Sequence, residues 1–126
     1  MKMSTSGLVA ILNDPGADDF RKAKACQRLG VVGDDSAVPA IAALLGNSTL
    51  SHYARTALEP YPGVAADAAL REALGRLDGD LLIGVINSIG RRKDPRALDA
   101  LAKLRRSEDQ DISQAAEAAL GRIRSP

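Results

Sequence analysis

A spacing of about thirty residues, marked twice over, constrains this chain more than any other feature. Four short motifs, Leu29-Gly30, Leu58-Glu59, Ile89-Gly90 and Leu120-Gly121, follow one another at steps of 29, 31 and 31 residues. A second series, Ile41, Leu70 and Leu101, keeps steps of 29 and 31. Two separate landmarks holding one period are the mark of a repeat architecture, in which each unit buries its apolar face only against its neighbours. The repeats run at approximately 5–32, 33–61, 62–92 and 93–124, so residues 1–126 are read as a single repeat domain.

The last repeat shows what the unit is. Asp94 is a good helix N-cap and Pro95 a good first helical residue, because proline lacks only an N–H that has no helical partner there. Leu98, Leu101 and Leu104 follow at three-residue steps, with Asp99 and Lys103 on the charged back. The polar run Ser107–Asp111 breaks the pattern and supplies acceptors for a second helix carrying Ile112, Ala115, Ala116, Ala119, Leu120 and Ile123. A helix so rich in alanine buries little area alone, at about 25 cal/mol per Å² of apolar surface. It needs neighbours on both sides.

The same reading applies upstream. Repeat 1 has a short helix near Gly7–Leu12 and a second near Asp18–Leu29. Repeat 2 begins with Asp35 or Ser36 as cap, and its second helix, Leu50–Leu58, is stopped by Glu-Pro-Tyr-Pro-Gly at 59–63. Repeat 3 opens with a helix at about Val64–Leu77, with Asp67/Arg71 and Glu72/Arg76 spaced for ion pairs. Its partner, LLIGVINSIG, is rich enough in Leu, Ile and Val to pass for a strand. Its alignment with AAEAALG, Gly84 falling where Ala115 falls, favours a helix and the most buried one of the eight. Glycines 30, 33, 46, 90 and 121 fall where helix C-caps are expected.

The expected class is therefore all-α: an α-α superhelix, or solenoid, of about four two-helix repeats. Composition agrees. Phe20, Tyr53 and Tyr61 are the only aromatic residues and tryptophan is absent, which suits a Leu/Ile/Val/Ala helical core. A net charge of +1 gives no global attraction to nucleic acid or anionic membrane. Basic and acidic residues balance in both halves, six and six to Gly63, eleven and ten after it. No apolar run approaches the roughly 20 residues of a membrane span. Met1–Gly7 lacks the apolar stretch of a secretion signal, so the chain reads as cytoplasmic by default, or exported if cut from a longer precursor. Cys26 is alone and excludes an intramolecular disulfide.

Signature residues of tetratricopeptide, ankyrin and leucine-rich repeats are missing. The segments GDDSAVPAIAALLGN and KDPRALDALAKLRRSEDQDISQAAEAALGRI instead resemble the short bacterial HEAT-like repeat, often called the phycobilisome-lyase type. The run from Ala57 to Leu104 is also similar to HEAT segments of large multidomain planctomycete proteins. The resemblance implies an armadillo-like α-solenoid acting as a non-catalytic scaffold, whose second helices line a concave partner surface. On that register His52, Arg55, Asn87, Ser88, Gln114 and Glu117 face the groove. Arg91 and Arg92 join them from the basic stretch 91–106, which carries seven bases against two acids.

No chemistry is expected from these residues. His52 is the sole histidine and Cys26 lies far from it in repeat order, which is too little for a metal centre. The di-iron hydroxylases among HEAT-like proteins use several His-Glu pairs, whereas His52 precedes Tyr53. No catalytic, cofactor-binding or metal-ligating set stands out. The expected partner is a protein, or another domain of a parent chain, rather than nucleic acid, for which the basic stretch offers no aromatic platform. The alternative is a bilin lyase-like subunit or chaperone for tetrapyrrole attachment; a bilin that shows no absorbance shift on mixing would remove it. Because repeat 4 ends at Ile123-Arg124 without a polar capping helix, a homodimer through a terminal repeat, or a longer array, is also expected.

Overall fold

The computed structural model describes residues 4–126, so the start of the Met1–Gly7 stretch read for a secretion signal lies outside the described residues. These residues form eight α-helices and no strand. In order they are α1 (Thr5–Asn13), α2 (Asp19–Val32), α3 (Val38–Ala42), α4 (Ser51–Leu58), α5 (Val64–Leu74), α6 (Gly79–Arg92), α7 (Leu98–Leu104) and α8 (Gln110–Arg124). Short 3-10 turns, Asp35–Ala37 and Pro95–Ala97, lead into α3 and α7. The chain divides into two compact units, one ending at Ala69 and the other Leu70–Pro126, the division falling within α5.

Helix starts follow local chemistry. Asp18 caps α2 by accepting from the Arg21 N–H at 2.8 Å. Asp109 caps α8 by accepting from the Asp111 and Ile112 N–H groups. At the 3-10 turn that leads into α3 the cap is Asp34 rather than Asp35 or Ser36: its carboxylate accepts from the backbone N–H of Ser36 at 3.0 Å and from the Ser36 hydroxyl. Asp94 caps as expected, accepting from the Arg96 N–H at 3.0 Å. The first helices α3 and α7 are shorter than the dozen residues their pattern suggests. After Ala42 the chain tightens into three-residue turns, Leu44 N–H to Ile41 C=O and Leu45 N–H to Ala42 C=O, both 3.0 Å.

Within the first unit α1 packs on α2, α2 on α4 and α3 on α4; within the second, α6 and α7 both pack on α8. All seven landmark residues of the thirty-residue spacing, Leu29, Leu58, Ile89, Leu120, Ile41, Leu70 and Leu101, are fully buried. Each such side chain contributes about 1.5–3 kcal/mol by burial, so the spacing read in the sequence is a spacing of core positions. LLIGVINSIG is helical, and α6 buries Leu82, Gly84, Val85, Ile86, Ser88, Ile89 and Gly90, more than any other helix.

Three of the glycines are not helix ends. Gly30, Gly90 and Gly121 lie inside α2, α6 and α8, which run on to Val32, Arg92 and Arg124. Only Gly33 caps, closing α2 with its N–H on the Leu29 carbonyl at 2.9 Å. The reason for two of the internal glycines is proximity. A Cβ at Gly30 would sit 3.2 Å from the Ala57 Cα, and one at Gly90 would sit 3.1 Å from both Ala119 Cα and Cβ. These are closest-approach points, α2 against α4 and α6 against α8. At Gly121 an added Cβ meets nothing within 4 Å.

Two polar links secure the units. In the first, the buried Tyr61 hydroxyl donates to the Leu29 carbonyl at 2.9 Å. In the second, Arg71 donates to the buried Asp94 carboxylate. Glu72 and Arg76 form the ion pair their spacing predicts, at 3.0 Å.

Candidate functional site: two grooves between second helices

The glycine–alanine approaches create two grooves of the same construction. In the first unit the groove between α2 and α4 has Gly30 and Ala57 at its floor. Gln27, Val31, Thr56 and Pro60 rise around them, with His52 and Tyr53 at one end and a volume of about 320 Å³. In the second unit the groove between α6 and α8 has Gly90 and Ala119 at its floor. Asn87, Arg91, Ala118 and Arg122 surround a smaller space of about 160 Å³. Residue for residue the two correspond: Gln27 to Asn87, Val31 to Arg91, Thr56 to Ala118 and Pro60 to Arg122.

The floors are alike and the rims are not. The first rim is mainly apolar, with Val31 among the most exposed large apolar residues of the described chain, 78% accessible. His52 and Tyr53 meet edge to face, ring centroids 5.8 Å apart. The second rim carries two guanidinium groups and a carboxamide, and no carboxylate lines it. The Arg122 stem runs over the glycine, its Cδ 3.6 Å from where a Gly90 Cβ would be.

The predicted partner-facing residues separate on this geometry. His52 lines the first groove; Asn87 and Arg91 line the second, and all three are exposed. Gln114 is exposed on α8, one turn before Ala118, and lies outside the residues lining the slot. Arg55 and Arg92 are half-buried and, like Arg91, take part in interactions within the protein. Arg55 therefore lies against the fold and does not line the first groove. Ser88 is fully buried and cannot face a partner; helical periodicity puts it beside Ile89 and Val85 on the core side of α6. Glu117 is exposed and meets Arg105 at 3.5 Å.

Sequence reasoning missed Gln27, Val31, Thr56 and Arg122. One signal was present: an amide three residues ahead of the glycine in both Gln27-Arg28-Leu29-Gly30 and Asn87-Ser88-Ile89-Gly90. Treating those glycines as caps hid it.

Other chemistry-bearing groups are quiet. Burial pushes the Cys26 thiol up to about 11, so the nucleophilic thiolate is scarce at neutral pH. Among the described residues no three His, Cys, Asp or Glu side chains gather as a metal site, and no helix is long and apolar enough to cross a membrane. Among the described residues the large exposed apolar side chains are Phe20, Val31, Val32 and Val64. All belong to the first unit, whereas Ile123 at the end of α8, where an apolar edge was expected, is half-buried. Comparison with protein-family models, with curated proteins and with solved structures finds no match for this chain.

Proposed function

We propose that this chain is a non-catalytic binding module: a HEAT-like α-solenoid of four helical hairpins that holds a protein segment through the faces of its second helices. The observation that supports it is the repeated groove. Each unit brings two second helices into contact at a glycine and an alanine, leaving an open trough rimmed by side chains the core does not need. Floors that are fixed by packing and rims that vary are what a scaffold requires, because partner chemistry can change while the fold stays put.

The reading assigns the module no reaction of its own. Its partners are a protein or another domain of a longer chain, with homodimerisation through a terminal repeat as a further mode of assembly.

Selection of a displayed peptide library on the immobilised chain tests it. Enriched peptides are expected to lose binding when either groove is filled, by Thr56→Trp in the first or Ala118→Trp in the second. Both positions are exposed, so thermal unfolding should be nearly unchanged. A library that enriches nothing, or peptides indifferent to both variants, would refute the proposal.

A further inference from the structure

We infer that the slot between α6 and α8 is a carboxylate site, seating a glutamate or aspartate side chain from an acidic protein segment between Arg91 and Arg122. This rests on the binding-module reading and names the ligand class for one of its two grooves.

Size comes first. A space of about 160 Å³ is well below the roughly 300–1,000 Å³ of small-molecule and cofactor pockets. It accommodates the head of one side chain. Its floor is backbone and a methyl group, because Gly90 and Ala119 leave no room for more. A carboxylate lowered onto that floor meets the Asn87 carboxamide and the guanidinium fork of Arg122 on its rim, and Arg91, which also takes part in an interaction within the protein, adds a second positive charge beside them. Guanidinium matches carboxylate geometry with two parallel N–H···O bonds, and such charge-assisted bonds are about twice as strong as neutral ones.

The companion groove serves as an internal control. It keeps the glycine, the alanine and the amide, yet has Val31 and Pro60 where the slot has arginines. Cations in the last turn of a helix are commonly explained by its dipole. That explanation covers α2 as well as α6, but α2 ends with no basic residue whereas α6 ends with Arg91 and Arg92. Helix α8 ends with Arg122 and Arg124, and of these four arginines Arg91 and Arg122 line the slot.

A phosphate backbone is the less suited anion. No aromatic side chain lines the slot to stack a base, and Glu108, Asp109 and Asp111 of the same unit would repel an extended polyanion. A short acidic segment needs only one carboxylate in place.

The test is amide-resolved NMR titration of the ¹⁵N-labelled chain with a blocked peptide containing three consecutive glutamates, beside its glutamine counterpart. Saturable shifts are expected at Asn87, Arg91, Ala119 and Arg122 with the glutamate peptide alone. Arg122→Gln should weaken binding about tenfold or more with unchanged thermal unfolding, and Arg106→Gln, at an exposed cation outside both grooves, should leave it intact. Shifts scattered over many surface cations and insensitive to Arg122→Gln would overturn the inference, as would tighter binding of a single-stranded oligonucleotide at the same amides. If the glutamate peptide fails while library peptides still depend on the grooves, this assignment falls and the binding-module reading stands.

Discussion

Substituting Gly90 by alanine pits two effects of known sign against each other. In a helix interior the change from glycine to alanine is favourable by about 0.5–1 kcal/mol, because the unfolded chain loses less freedom on folding. At Gly90 the new methyl would lie 3.1 Å from the Cα and Cβ of Ala119. The obstruction is another helix, not the tip of a flexible side chain, so relief requires α6 and α8 to separate. Overpacking of this kind costs about 1–3 kcal/mol. The net expectation is a loss of about 0.5–2 kcal/mol, or a fall in Tm of about 2–8 °C for a chain of this size. Gly121→Ala is the matched control. It occupies the next position in the same thirty-residue series, also lies in a helix, and its added Cβ meets nothing within 4 Å. It should raise Tm by about 2–4 °C. Thermal unfolding followed by circular dichroism measures both. If Gly90→Ala stabilises as much as Gly121→Ala, the close approach of α6 and α8 is not a packing constraint, and the origin assigned to the grooves is wrong.

Two further expectations concern the polar links. Asp94→Ala removes both a helix cap and the partner of Arg71, and should cost about 2–3 kcal/mol in urea unfolding, with Asp94→Asn roughly half as severe; equal effects would mean the ion pair contributes nothing. Burial, and then the nearby Asp34 and Asp35 charges, raise the Tyr61 phenol above its ordinary 10.0, so the folded state holds that proton more tightly than the unfolded one. The associated stability is complete below about pH 10 and is lost as pH rises through the folded value. Tyr61→Phe should cost about 1 kcal/mol at neutral pH and flatten the alkaline decline in Tm; a decline as steep as in the parent would refute the assignment.

What could be read in the sequence was whatever periodicity controls. The spacing of Leu29, Ile41, Leu58, Leu70, Ile89, Leu101 and Leu120 located core positions correctly because an apolar residue at a repeated helical position is buried for one reason only. The helical state of LLIGVINSIG followed from alignment with α8 where composition alone pointed to a strand. Residues whose roles depend on a second helix were harder. Gly30 and Gly90 carry the sequence appearance of C-caps, and only the position of Ala57 and Ala119 reveals them as contacts. Ser88 and Asn87 are adjacent, yet a turn of 100° takes one into the core and leaves the other on the slot. The bond of Arg71 to Asp94 crosses 23 residues of sequence. Tertiary partners at such separation leave no local trace.

If the chain is the binding module proposed above, the two grooves are where it discriminates among partners. A floor made by glycine against alanine is fixed by the core, since any larger residue forces the helices apart. The rim positions beside that floor, Val31 and Arg91 on one side and Pro60 and Arg122 on the other, differ between the grooves while the glycine and alanine stay the same. On that reading, specificity resides in a few side chains per groove. A net charge of +1 is compatible with such a slot, because the attraction of two arginines for a carboxylate acts only within about a Debye length, roughly 8 Å at physiological salt.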